Sequence, residues 1–238
     1  MVNLGMQKKL TGEVPSAVEI LADLEVKGSE AFRRVYTKQG AGDKVLGIKM
    51  GDLRALAKEL KKQHALGLAL WDSGWFEARV LATMLFDPKQ LTEGECIRLA
   101  ESCDSPPLID KLTGNVLEVS EQAEALRARW LDSADPLLGR AGWNLMIAAV
   151  QKDKKGALDL DVLLAKVETE LPAASRPKKE AMNMCLVMIG VYHASHTDKA
   201  IAAGERLGRW DDRPIPKGCT SSYPPEWIPA AIALRNRR

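Results

Sequence analysis

The stretch DPLLGRAGWNLMIAAVQ, residues 135–151, is apolar on nearly every side once it is wound at 3.6 residues per turn. A helix of that kind has no broad solvent face, so it must lie centrally, between other helices. Its polar residues Arg140, Asn144 and Gln151 are spaced i, i+4 and i+11, which puts them on one narrow stripe. A second segment has the same character. PKKEAMNMCLVMIG, residues 177–190, is apolar nearly all round and carries Lys179, Asn183 and Gly190 at the same spacing. Two central helices, each with a cation and an amide in matched register, predict a shared polar groove.

Helical period continues in both directions from these two segments. Toward the N-terminus it runs through PSAVEILADLEVKG, SEAFRRVYTKQG, MGDLRALAKELKKQ, ALGLALWDSG, WFEARVLATMLFD, LTEGECIRLAES, PPLIDKLTGNVLE and SEQAEALRARWLDS. Pro15 is placed to open the first of these and Gly28 to close it. Beyond residue 151 come LDVLLAKVETEL and HTDKAIAAGERLG. No alternating strand pattern competes with them. Short turns between about a dozen helices point to an all-α, right-handed α-solenoid of antiparallel helix pairs, of the HEAT or armadillo kind. The expected organisation is one repeat domain over 1–238. Helical repeats fill about 1–210, and 211–238 forms a Pro- and Gly-rich loop with a capping helix.

Composition narrows the function classes. Hydrophobic residues make up 46% of the 238, enough for a sizeable core. The net charge is only +2, so affinity for nucleic acid has to come from local patches and not from a global field. Cys96, Cys103, Cys185 and Cys219 form no CxxC pair and read as reduced thiols. The longest apolar run, CLVMIGVY, is too short to cross a bilayer, and residues 1–13 lack a signal-peptide core. A cytoplasmic monomer is expected, associated with the nucleoid when bound to DNA. His193 and His196 are spaced for a metal but have no third ligand in sight, so neither metal nor cofactor is expected.

CDSPPLIDKLTG, residues 103–114, places an acid inside an apolar helix expected over 107–118. Leu108, Ile109, Leu112 and Val116 share one face. Asp110 lies away from its centre, and Gly114, one turn on, covers nothing. Asp104 is placed to cap this helix. Cations that could line a concave basic groove are Lys44, Lys49, Arg54, Arg79, Lys111 and the run Lys152, Lys154, Lys155. Arg140 suits a phosphate because guanidinium is a planar fork of donors, and Asn144 and Asn183 can position backbone or base edges without adding charge.

Taken in order, these segments resemble the AlkD-like DNA alkylation-repair glycosylases, which are built from HEAT-like repeats. The resemblance is carried by VLGIKMGDLRALAKEL (45–60), LALWDSGWFEARVLATMLFDP (68–88), CDSPPLIDKLTGNVL (103–117), GRAGWNLM (139–146) and KKEAMNMCLVMIG (178–190). It runs from about residue 40 to 208. It implies an N-glycosylase that excises cationic N3- or N7-alkylated purines from duplex DNA. In such enzymes a carboxylate stabilises oxocarbenium charge on the deoxyribose, an effect that grows where water is excluded. By the resemblance that carboxylate is Asp110, and the backbone-contacting arginine is Arg140. Lys44, Lys49, Arg54, Lys111, Asn144, Lys179 and Asn183 are the expected DNA contacts. Two positions depart from the family pattern. Where it has aromatic residues at the lesion, this chain has Pro106 and Met184, neither of which offers a π-face to a cationic base. The departures leave open weaker lesion capture, altered lesion choice or no catalysis. Two alternatives to the glycosylase therefore stand: a non-catalytic DNA- or RNA-structure-binding repeat protein, and a protein–protein scaffold.

Overall fold

The computed structural model describes residues 14–210 and 221–237. Among them are thirteen α-helices, four short 3-10 turns and no strand. In chain order the α-helices are α1 (Ala17–Lys27), α2 (Glu30–Lys38), α3 (Met50–Leu60), α4 (His64–Asp72), α5 (Phe76–Leu85), α6 (Glu93–Glu101) and α7 (Pro106–Asn115). They continue with α8 (Ala123–Trp130), α9 (Pro136–Lys152), α10 (Leu160–Glu170), α11 (Arg176–Tyr192), α12 (Thr197–Leu207) and α13 (Pro224–Arg235). The chain divides into two compact units that meet between Leu126 and Arg127.

Several helix starts carry punctuation readable in the sequence. Ser16 with Glu19 and Thr92 with Glu95 form reciprocal capping boxes, so α1 starts after Ser16 and not at Pro15. Asp135 accepts from the amides of Leu137 and Leu138 at the start of α9. The acid expected to cap α7 does something else. The N-cap is the fully buried Ser105, whose hydroxyl donates to the Asp104 carboxylate (3.2 Å), while Asp104 also faces Arg79 at 3.8 Å. Helix α7 ends at Asn115, short of the expected 118, and the chain tightens into a 3-10 turn over Leu117–Val119.

In the first unit α5 is the hub, packed against α3, α4 and α7. It is buried on nearly all sides, and its most unusual residue is Glu77, with no solvent exposure. Its carboxylate accepts from three successive backbone amides of the loop between α2 and α3: Leu46 (2.8 Å), Gly47 (2.6 Å) and Ile48 (3.2 Å). A charge can be buried only when it is matched in this way, because each amide replaces a lost water hydrogen bond. The same loop is stitched on its other edge. The Tyr36 hydroxyl donates to the Ile48 carbonyl (2.7 Å), the Ser29 amide to the Gly47 carbonyl (2.9 Å), and the Phe76 amide to the Lys44 carbonyl (2.9 Å). Burial, and after it the Glu77 charge, pushes the Tyr36 hydroxyl above its ordinary pKa. Gly47 has φ +83°, and a Cβ there would lie 2.2 Å from the Ser29 carbonyl oxygen, so only glycine fits.

In the second unit α9 and α11 make the dominant contact, and α11 also packs on α12 and α13. Trp143, Val150, Met182, Cys185, Leu186, Val187 and Ile189 are fully buried there, as expected for two central helices. Gly142 allows α9 to press on the end of α8: a Cβ at that position would stand 2.5 Å from the Trp130 carbonyl carbon. Trp210 and Trp227 pack on this core from the tail and so buttress it. The loop expected over 211–220, with Cys219, lies outside the described residues. No helix among those described is long and apolar enough to cross a membrane.

Two stability predictions follow from these contacts. Glu77→Ala strands three buried amides and is expected to cost at least about 3 kcal/mol in a urea titration, with Glu77→Gln costing less because it keeps one acceptor. Gly142→Ala should lower the urea midpoint, although alanine exceeds glycine in helix propensity by about 1 kcal/mol. A midpoint at or above wild type would show that α9 does not press on residues 130–131.

Candidate functional site

Two sets of expected site residues are built, one in each unit. In the first unit they sit on α7. Leu108, Ile109, Leu112 and Val116 are fully buried, which anchors the helix and sets the azimuth of the rest. Asp110 and Lys111 lie half-buried at the edge of this anchored face. A Cβ added to Gly114 would meet nothing within 4 Å, so the space one turn beyond Asp110 is open. Pro106, at the position where an aromatic was expected, lies against the loop that follows α2, its Cδ 3.6 Å from where a Cβ on Gly40 would be. It is the first residue of the helix, a place proline tolerates because the N–H it lacks has no helical partner there.

The cations of this unit separate into two kinds. Lys44, Lys49 and Arg54 are exposed. Arg79, also expected to line the groove, is turned inward. Its guanidinium lies 5.5 Å from the centre of the Trp71 ring, and it donates to the carbonyls of Trp71 and Ser102, each at 3.1 Å. It ties α4 to the turn before α7 and is structural.

In the second unit α9 and α11 pack together, but the expected α11 stripe of Lys179, Asn183 and Gly190 does not meet the α9 stripe; Arg140 and Gln151 find Pro177, Glu180 and Met188 instead. The Arg140 Nη1 donates to the Pro177 carbonyl and to the Glu180 carboxylate, both at 2.9 Å. Farther along, Gln151 Nε2 lies 3.4 Å from Met188 Sδ. Asn144 and Met184 are half-buried along the same helices. Lys179 points its ammonium at the Pro172 carbonyl (3.0 Å) and lies 6.0 Å from the centre of the Trp210 ring.

Asn183 corrects the sequence reading. It is only 2% exposed, and both ends of its amide are used. Nδ2 donates to the Ser222 carbonyl (2.9 Å), and Oδ1 accepts from the Trp210 indole N–H (3.3 Å). Its side chain clasps the two ends of the tail segment to α11 and is not available to DNA. A signal was present: on a helix apolar all round, an amide between Met182 and Met184 has no solvent face to occupy. Gly190, at the end of the expected stripe, is likewise internal, against Ile228 and Ala200. Sequence reasoning also passed over Glu180, an acid that meets Arg140 at 2.9 Å. Its i, i+4 spacing from Arg176 was the available cue, and the two do pair, at 3.5 Å.

None of the described cysteines is a nucleophile. Burial raises the Cys96 thiol to about 11 and pushes Cys103 and Cys185 higher still. His193 spends Nε2 on the Val150 carbonyl (2.8 Å), and His196 faces Asp161 at 3.6 Å. In the unit-two groove lined by Asp161, Glu168, Lys199 and Arg206 the charges pair with one another, Lys199 with Asp161 and Arg206 with Glu168.

Comparison with known proteins gives three findings. A family model described as DNA alkylation repair enzyme matches residues 20–214. The Listeria innocua protein Lin0241 and the Listeria monocytogenes protein Lmo0209 are 23% and 22% identical to this chain over 210 residues, spanning 86% of it and 90% of each relative. A solved structure is described under the heading of a new family of proteins related to the HEAT-like repeat DNA glycosylases with affinity for branched DNA structures. It superposes with a TM-score of 0.81 at 22% identity, covering 93% of this chain and 95% of the other, and so shows a HEAT-like helical fold.

The Asn183 clasp generates a prediction. Asn183→Ala leaves the Trp210 indole and the Ser222 carbonyl without this partner and should cost about 1–3 kcal/mol by urea titration. It should also speed tryptic cleavage at Arg209. An unchanged cleavage rate would show that the amide does not hold the tail.

Proposed function

The chain belongs to the DNA alkylation repair enzyme family, and on that footing we propose that it is a DNA-binding protein that engages branched DNA through its backbone. The observation that carries this reading is the chemistry of the two lesion positions, Pro106 and Met184. A cationic alkylated base is attracted to aromatic faces by about 0.5–2 kcal/mol each, and neither residue provides one. The means of gripping phosphate remain, in Lys44, Lys49, Arg54 and Lys111 of the first unit and Arg140 and Lys179 of the second. The affinity for branched DNA that heads the description of the structurally similar protein supports the same direction. Asn144, half-buried one turn beyond Arg140 on the same stripe, is assigned to backbone positioning.

A second reading has its own observation. Asp110 is a half-buried carboxylate with open space one turn away at Gly114, and these are the terms on which a sugar oxocarbenium could be stabilised. An N7-alkylated purine is already a good leaving group, so one carboxylate without a general acid is sufficient for N-glycosylase chemistry.

Gel-shift titrations with four-way junction, gapped and linear duplex DNA separate these readings from a protein–protein scaffold. The expected outcome is tighter binding to the junction than to duplex of the same length. Log affinity should fall with log salt at a slope of about −0.9 per phosphate neutralised. Absence of binding to all three at low salt would end the proposal. Incubation with duplex carrying 7-methylguanine is expected to release no more base than the Asp110→Asn variant does. Release well above that control would establish the glycosylase reading instead.

A further inference from the structure

Helix α11 opens with an unusual balance of charge. Arg176, Lys178 and Lys179 lie in its first turn, and Arg140 reaches it from α9. Against these four cations stands one acid on the same stretch, Glu180, and two guanidinium groups meet it, Arg140 at 2.9 Å and Arg176 at 3.5 Å. Lys178 and Lys179 turn aside, to the carbonyls of Ser133 (3.3 Å) and Pro172 (3.0 Å).

We propose that Glu180 is a resident stand-in for a DNA phosphate: its carboxylate occupies the Arg140–Arg176 fork in the free protein and is displaced by a backbone phosphate on binding. The inference rests on the DNA-binding reading above. Three features support exchange over a permanent strut. First, the carboxylate sits at the solvent edge, with 28% of the Glu180 side chain exposed against 14% for Arg140, so the acid can swing out on its stem while the arginine stays in place. Second, Arg140 has an anchor independent of the acid: Nη1 also donates to the Pro177 carbonyl, which keeps the guanidinium aimed at the fork after the carboxylate leaves. Third, a phosphate presents the same spread of acceptor oxygens to guanidinium as a carboxylate does, with more sites to fill. Glu180 is thus a resident anion that fills the fork in the free protein at the cost of affinity. It would make the protein selective for sites where several phosphates converge, as at a junction, over isolated anions.

The test compares wild type, Glu180→Gln and Glu180→Asp. The probes are labelled four-way junction DNA across a salt series and inorganic pyrophosphate in thermal melts. Glu180→Gln should bind junction DNA about threefold to tenfold tighter at low salt, with an unchanged salt slope because the same phosphate fills the fork in both forms. Pyrophosphate should raise its melting temperature more than that of wild type. Glu180→Asp keeps the charge but shortens the reach, and should show a smaller gain in both; it carries the test if the Gln variant does not fold. A strut role gives the opposite result: lower stability with unchanged or weaker binding and no pyrophosphate shift in either folded variant, which overturns the inference. Wild type that binds junction DNA with no gain in the variants defeats this inference alone. A pyrophosphate shift in the variants without DNA binding by any form defeats the DNA reading and leaves the fork standing.

Discussion

A carboxylate sealed in the core of the first unit is the constraint on which its geometry turns. Glu77 has no contact with solvent, and three consecutive amides close over it. Removing water from a charge is tolerable only when fixed donors replace it, so the loop bearing Leu46, Gly47 and Ile48 cannot drift. That loop delivers the chain into α3 and carries the exposed Lys44 and Lys49. Helix α5, which bears Glu77, packs on α7, which bears Asp110. Helix α5 therefore links the loop that bears Lys44 and Lys49 to the helix that bears Asp110.

The second unit solves a different problem. Helices α9 and α11 are apolar on nearly all sides, so their few polar groups must satisfy one another or be satisfied by the tail. Arg140 finds the Pro177 carbonyl and Glu180, and Asn183 finds Trp210 and Ser222. The result is a rigid frame in which a guanidinium is held from two sides. Such pre-orientation favours capture of an anion, because the entropy of ordering the arginine is met on folding and not on binding.

Function follows from what this frame keeps and what it lacks. Exposed cations are present in the first unit, Arg140 and Lys179 lie in the second, and Asp110 is a half-buried acid at the edge of the apolar face of α7. The aromatic faces that would hold a cationic base are absent, replaced by a proline lying against the loop at Gly40 and a flexible thioether. Backbone recognition needs only the first set of features, whereas excision of a lesion draws on all of them.

Much of this was legible in the chain by itself. The apolar wrap of residues 135–151 and 177–190 identified the two central helices, and helical period located nearly every other element, because burial of apolar surface is a property of local pattern. The apolar face of α7 and the edge position of Asp110 were readable for the same reason. What the sequence could not determine is how each polar group is satisfied, since partners far apart in the chain are chosen only when the helices pack. Asp104 turned from a cap into a partner of Ser105 and Arg79, Arg79 turned from a surface cation into a tie, and Asn183 turned from a DNA contact into a clasp. Glu180, unremarkable as the fourth residue of PKKE, became the occupant of the arginine fork. A side chain's type and spacing state what it can bond; only tertiary packing decides which donor or acceptor lies within 3 Å of it.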